Sequence, residues 1–383
     1  MKLVRKILIA WLSAVVWLGT MSGAATALAA IAASPDVTVL ANDFIKITVD
    51  NATGRFAIRT VEGQPIRKKD QNVNLMFGGD DPETSFTTFR INGTDYIFGN
   101  PYKFAPQFFS EISKPVIVHN PDQTSQIETT WTIEGVAIKQ ILMLYRNIDD
   151  KLNAGNVNIR YEVYNYSGAT VEVGTRILLD TMVGGNDGPG FQIGTTTAQL
   201  LQVERRLVHE PNVGPEDMAF YKLPPYWVMK DVRDPTNPLA TNVIAYGFNN
   251  FAEGGINIVD EMIVGHWNGL ANTKWDYEPN GSLDFTRDTN DYGTADSAVA
   301  FYWYPDAIPD RGVKTFETVY GLGEIVEKDK VFSIRFLDTP QQLAVLPDGS
   351  GYVNEGVFDI IAEIENLPMY NMEHRSEEHT SEL

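Results

Sequence analysis

Two acidic stretches hold the residue types that could do chemistry. The first closes a strand-like run. Asp180 is followed by Thr181-Met182-Val183-Gly184-Gly185-Asn186-Asp187-Gly188-Pro189-Gly190, four glycines and a proline in ten residues, which makes a loop rather than an element. If the chain has a site, the end of this strand is a good place for it. The same residues would also make a solvated turn with Asp187-Gly188 at its tip. The second stretch runs from Asp284 to Asp296 and contains Asp284, Asp288, Asn290, Asp291 and Asp296. Asp288-Thr289-Asn290-Asp291-Tyr292-Gly293 partly matches a calcium loop, with oxygen ligands at the first and third positions and glycine at the sixth. Tyr292 stands at the fifth position, Val299 at the twelfth, and the flanking helices are absent. Asp284, Asp288, Asn290 and Asp291 are the candidate metal ligands, against a solvated loop. Calcium is the one ion the pattern suggests, and no other cofactor is indicated.

Other chemistries find less. Tyr226, Trp227, Trp267, Trp275, Tyr277, Tyr302, Trp303 and Tyr304 gather in the second half. Exposed, they would suit stacking on sugar rings; in a sandwich they would fill the core. His266 neighbours Trp267, although a lone histidine is more often structural. There is no Gly-x-Ser-x-Gly elbow and no HExxH motif. Glycoside hydrolysis needs two carboxylates across a cleft; Asp180, Asp187, Asp260 and Asp276 are the candidates, and sequence does not choose the pair. The candidate ligand-binding residues are Asp180, Asp187, Trp227, His266, Trp267 and Trp275, and no residue is assigned a catalytic role.

The elements that must position these residues are strands. From Asn156 to Pro189 the chain reads as a long hairpin. Val157, Ile159, Tyr161 and Val163 alternate with polar residues on one arm. Val171, Val173, Thr175, Ile177 and Leu179 do so on the other, opposite a wet face of Glu172, Gly174, Arg176, Leu178 and Asp180. A three-residue loop at Tyr166-Ser167-Gly168 keeps both apolar faces together and puts Gly168 in the left-handed region, at the cost of setting Glu162 beside Glu172. Two further hairpins are self-consistent. Asn92-Gly93 is a type I′ turn that pairs Ile91 with Thr94, Arg90 with Asp95 and Phe89 with Tyr96. Glu134-Gly135 pairs Ile133 with Val136, Trp131 with Ile138 and Ile127 with Leu142. Strands are also expected at 37–40, 44–49 and 55–61. Beyond the central hairpin they are expected at 199–207, 226–230, 242–248, 256–262, 298–304 and 314–320, with a surface excursion at 211–225 and a long loop at 268–296. No amphipathic helix of useful length follows residue 29.

The ends read differently. Lys2, Arg5 and Lys6, an apolar core from Ile7 to Leu18, and Ala27-Leu28-Ala29 make residues 1–29 a cleavable export signal. No other long apolar run exists, so no membrane span is expected in the mature chain. The formal net charge is −20. Removing the signal takes three basic residues and no acids, so the mature chain is still more acidic. That excludes nucleic acid as a partner and fits a secreted or cell-surface location. There is no cysteine, so stability must come from the core. Residues 326–374 read as the opening strands of an immunoglobulin-like domain. Arg375 to Leu383 reads as a translated sequencing adapter, which implies that the gene continues.

Three segments carry a resemblance: Arg176-Ile-Leu-Leu-Asp-Thr-Met-Val-Gly-Gly-Asn-Asp-Gly188, Pro224-Pro-Tyr-Trp227, and Asp296-Ser-Ala-Val-Ala-Phe-Tyr-Trp303 followed by Tyr320-Gly-Leu-Gly323. Over residues 35–325 the chain resembles modules of secreted bacterial proteins that are similar to the galactose-mutarotase-like supersandwich and precede immunoglobulin-like domains. The resemblance implies an all-β fold, a large antiparallel β-sandwich followed by the start of an immunoglobulin-like one, and it brings no catalytic residue with it. The leading expectation is a non-catalytic extracellular module of a larger surface protein, with glycan or a cell-surface protein as partner. The rival is a carbohydrate-active enzyme (epimerase, lyase or hydrolase) on the same fold. A third reading, a calcium-stabilised adhesin domain, rests on the Asp284–Asp296 loop.

Overall fold

Period-two alternation becomes two facing antiparallel sheets in the computed structural model. It describes residues 37–323 apart from 66, 68, 100–111, 146–153, 194–198, 209–222, 225, 232–242 and 250–257, together with two later strands. In chain order the strands are β1 (Val37–Ala41), β2 (Ile45–Asp50), β3 (Phe56–Thr60), β4 (Asn74–Met76), β5 (Phe86–Ile91) and β6 (Thr94–Ile97). Next come β7 (Val116–His119), β8 (Thr124–Ile133), β9 (Val136–Tyr145), β10 (Gly155–Asn165), β11 (Val171–Gly184), β12 (Phe191–Ile193), β13 (Gln199–Leu201) and β14 (Arg205–Val208). Then follow β15 (Tyr226–Lys230), β16 (Ile244–Phe248), β17 (Glu261–His266), the short helix α1 (Trp267–Ala271), β18 (Ser297–Ile308) and β19 (Val313–Gly323). β20 (Phe332–Asp338) and β21 (Ile361–Asn366) pair only with each other among the described residues. The expected export signal, most of the expected 211–225 excursion and the adapter-like tail lie outside the described residues, as does most of 326–374.

Among the described residues the first sheet runs β1-β2-β3-β4-β11-β18-β17-β14, with β5 pairing β11 and β6 pairing β5. The second runs β13-β12-β15-β16-β19-β10-β9-β8-β7. Their facing sides form one core: Ile47, Phe89, Val173, Ile177, Leu179 and Phe301 against Ile127, Ile138, Val157, Ile159, Tyr161 and Trp227. The fold is therefore the expected all-β sandwich. Both tight hairpins keep the expected registers. Asn92 and Gly93 have φ of 48° and 80°, and Glu134 and Gly135 have 50° and 78°, the paired left-handed residues of a type I′ turn.

The central hairpin is corrected. β10 pairs with β9 and β19, whereas β11 pairs with β4, β5 and β18, so the two arms lie in opposite sheets. The alternation of each arm is right, but an apolar face is satisfied equally by a neighbour across the core. Val157, Ile159 and Val163 meet the same core as Val173, Ile177 and Leu179 from the other side. The unfavourable Glu162/Glu172 pairing that a hairpin required does not arise, since Glu162 lies between Lys139 and Thr315. Gly168 does take the left-handed conformation, at φ 81°. A second correction follows. The 199–207 run divides into β13 and β14, which belong to different sheets.

The outer face of β11 is also corrected. Only Glu172 is wet; Gly174, Arg176, Leu178 and Asp180 are buried. The expected long loop 268–296 begins within α1 and folds over this face, giving a second small core of Leu178, Ile263, Leu270, Trp275, Ala300 and Tyr302. At Gly174 the register with β18 shifts, and a Cβ there would lie 2.7 Å from the Trp275 ring and 2.9 Å from Pro305 N. Glycine is what lets the covering segment approach the strand.

One loop joins the sheets directly. Asp70 is fully buried and one of its carboxylate oxygens, Oδ2, accepts from Gln64 N at 2.7 Å, while Gln64 Nε2 donates to Leu322 O of β19 at 3.3 Å. Burial raises the Asp70 pKa to about 6 from an ordinary 3.8. The folded state thus holds a proton that the unfolded chain has released. That contribution is present below the unfolded value and is lost as pH rises through about 6. Denaturant titrations from pH 4 to 7 should show stability falling by about 1–2 kcal/mol from this group, and Asp70→Asn should flatten that slope.

Candidate functional site

β11 changes partner along one edge. β5 pairs with its first half as far as Leu178, and β4 takes over at Thr181. Asp180 falls in the gap. Its backbone is completed by other groups: its N–H donates to Ser85 Oγ at 2.9 Å, and its C=O accepts from Phe77 N at 3.1 Å. Alternation turns its side chain to the outer face, where the strand pairs with Ala298 of β18. Beyond the strand, Val183 and Asn186 exchange two backbone hydrogen bonds across Gly184-Gly185, with Gly184 at φ 65°. This turn sends the chain back along β18. Asp187 O accepts from Ser297 N at 2.8 Å, and Asp296 N donates to Phe285 O at 3.0 Å. A Cβ on Gly188 would lie 2.8 Å from Ala295 Cβ and 2.9 Å from Phe285 O, so glycine is needed where the two loops meet.

The outcome is a cluster of three carboxylates. One ligand oxygen from each of Asp180, Asp187 and Asp296 lies within 4.8 Å of the others. Asp180 is 2 % exposed, and the other two are half-buried. Burial, and then the charge on Asp296, push the Asp180 carboxyl well above the usual carboxylate range; the Thr84 side chain offsets this only in part. Burial alone brings Asp187 to about 6. Oxygens of Asp180 and Asp187 are buried without a hydrogen-bond partner. Native interiors seldom leave such groups unmet. Three oxygen donors at this spacing can exchange protons or hold a hard cation. Among the described residues this is the group of acids or histidines close enough to share an ion.

A second buried carboxylate holds the covering segment in place. Glu204 Oε1 accepts from His266 N at 3.0 Å and Tyr277 OH at 2.8 Å, and its Oε2 accepts from Asn280 N at 2.7 Å. Burial and Glu204 together push the Tyr277 hydroxyl pKa well up. His266 is fully buried. Its Nδ1 accepts from Asn268 N, so the proton is on Nε2, which donates to Thr294 O at 3.0 Å. Burial lowers its pKa and keeps it neutral. The imidazole therefore fixes the backbone two residues before Asp296. Arg176 does the same for the helix end: its guanidinium donates to Leu270 O, Thr273 O and Lys274 O, and to Tyr302 OH.

The structure sorts the residues expected from sequence. Asp180 and Asp187 come together, and Asp296, expected only as the last acid of the second loop, joins them from 116 residues downstream of Asp180. Trp267 is partly buried against the second core, its Nε1 donating to Thr84 O at 3.3 Å. Trp227 is instead a core residue, stacked on Tyr320 at 5.3 Å and Phe301 at 6.2 Å. Trp275 is 5 % exposed, with Arg90 over its ring. Asp284, Asp288, Asn290 and Asp291 do not gather round a point. Asp284 accepts from Thr286 N and Oγ1, Asp288 from Ala295 N, and Asn290 from Tyr292 N and Gly293 N. These polar side chains close their own loop, as Asx turns do. Glu204 and Arg176 carried no signal in the sequence, because nothing local marks a charge that will be met by distant backbone.

No family model matches the chain, and no curated protein matches it. Among solved structures it is similar to a galactose mutarotase related enzyme from Lactobacillus acidophilus, at 8% identity and TM-score 0.37 over 77% of this chain and 99% of that one. It is also similar to a galactose mutarotase-like protein from Lactobacillus casei, at 7% identity and TM-score 0.33 over 74% and 99%. A GH36 alpha-galactosidase from Geobacillus stearothermophilus follows at 8% identity and TM-score 0.39, over 76% of this chain and 40% of that one. The fold resemblance expected from sequence is met at this level. The expectation of a non-catalytic module is not upheld: the similar structures include a galactose mutarotase related enzyme and a GH36 alpha-galactosidase.

Replacing Glu204 tests whether this carboxylate pins the cover. Glu204→Gln keeps the shape but turns an amide toward one of the donors. It should cost about 1–3 kcal/mol and speed backbone hydrogen exchange in 267–296 more than in β8–β10. Uniform exchange in both regions would remove Glu204 from that role.

Proposed function

We propose that this protein is a carbohydrate-active enzyme of the epimerase, lyase or hydrolase kind, with its reaction centre at Asp180, Asp187 and Asp296. The observation that carries the reading is the close group of three carboxylates, one of them buried, at the end of the central strand. Proton transfer at a sugar carbon or oxygen needs such acid and base groups side by side. Asp187 and Asp296 are the more open members and would meet the substrate; Asp180 stands behind them. The spacing favours proton transfer over inverting hydrolysis, whose two carboxylates stand about 6.5–9.5 Å apart to admit a water. Two aromatic rings support a sugar ligand: Trp267 beside Thr84, and Tyr292, exposed and packed on His266 at 4.3 Å. Names of the similar structures point to the same substrate class, galactose-like sugars included. The export signal supports a bacterial protein acting outside the cell. β20 and β21 fit the start of the immunoglobulin-like unit expected after it.

A panel of mono-, oligo- and polysaccharides tests this, read by optical rotation for epimerisation, by new reducing ends for hydrolysis and by absorbance of unsaturated products for elimination. One substrate class should turn over, and Asp187→Asn should lower kcat/KM by about 100-fold or more while the thermal midpoint measured in chelator holds. No turnover anywhere in the panel, or full activity in Asp187→Asn, would sink the assignment.

A further inference from the structure

We propose that Asp180, Asp187 and Asp296 bind a hard divalent cation, calcium in preference to magnesium or zinc. The first observation is geometric: three carboxylate oxygens from three chain segments lie within 4.8 Å of one another. Opposite ligands of a single calcium ion stand about 5 Å apart, twice a Ca–O bond of about 2.3–2.6 Å, so one ion can reach all three. The second observation is independent of the clustering. Asp180 is 2 % exposed and its Oδ1 has no hydrogen-bond partner, yet this side chain faces the other two acids. A buried carboxylate oxygen lacks a donor here, and a cation is what would meet it. Among the described residues no basic side chain acts on Asp180 or Asp187.

Donor chemistry selects the ion. All three ligands are carboxylate oxygens, the set that hard cations take. His266, paired with Ser297 at the start of β18, already spends both ring nitrogens on Asn268 and Thr294, so zinc gains nothing from it. Magnesium holds its ligands at about 2.0–2.1 Å in near-ideal octahedra and parts with its waters reluctantly. Calcium accepts irregular shells. One ion would tie together the end of β11, the 184–190 loop and the start of β18. Its open positions would face the side where Asp187 and Asp296 are half-exposed. There a sugar's adjacent hydroxyls could complete the shell, a step that rests on the proposed reaction centre, whereas cation binding does not.

Isothermal titration of chelator-stripped protein with calcium, magnesium and zinc chlorides decides the matter, with thermal midpoints recorded alongside. The expected result is one calcium per chain, magnesium at least tenfold weaker, and a calcium-dependent rise in midpoint. Asp180→Asn and Asp296→Asn should each weaken calcium at least tenfold. The more open Asp296 position serves as the safer variant if the buried one fails to fold. Absence of heat and of any midpoint shift up to millimolar calcium would overturn the site, as would unchanged affinity in Asp296→Asn. Running the sugar panel with calcium and with chelator separates the two readings. Calcium binding without turnover keeps the cation site and removes the enzyme; turnover in chelator with no calcium binding does the reverse.

Discussion

A charge buried under a loop needs donors, and here that need organises half of the molecule. Glu204 draws His266 N, Tyr277 OH and Asn280 N onto itself, while Arg176 gathers the carbonyls at the end of α1. Together an anion and a cation press the 267–296 segment onto the outer face of the larger sheet. Neither forms a salt bridge with the other; each is met by backbone and hydroxyl groups. This solves the desolvation problem locally. It also explains why β11 can be buried on both faces in an antiparallel sandwich, where one wet face is the rule. Asp296 follows directly from the held segment, so the position of the third carboxylate depends on this cover.

The sequence was most legible where structure is local. A two-residue turn with two left-handed residues fixes its own register, and Asn92-Gly93 and Glu134-Gly135 did so down to the Arg90–Asp95 ion pair. It was least legible where apolar alternation had two ways to be satisfied. Strands β10 and β11 are joined by five residues, and a hairpin and a crossing between sheets bury the same side chains. The like-charge Glu162/Glu172 contact was the one local sign against the hairpin. Alternation also implied that Arg176, Leu178 and Asp180 face water, since it cannot anticipate a cover contributed by residues 90 or more positions away.

The site divides in the same manner. Asp180 and Asp187 are separated by a glycine-rich turn, so sequence alone could place them at one strand end. Asp296 belongs to them only because β18 pairs with β11, which puts Ala298 opposite Asp180. The acidic loop that looked most like an ion site spends its side chains on its own turns. Oxygen-rich sequence is thus a poor guide to ligands; what sets Asp180 and Asp187 apart from that loop is that each keeps a buried oxygen without a donor.

Strand order has a consequence for the making of this protein. The last two strands of the sandwich, β18 and β19, are interior to their sheets: β18 sits between β11 and β17, and β19 between β16 and β10. Everything translated before them has a hole in both layers. The ribosome must finish about residue 323 before either sheet can close, and until then β10, β11, β16 and β17 expose unpaired edges. Synthesis order and spatial order run against each other here. A polypeptide built in this order cannot close early and stays open until its final strands arrive.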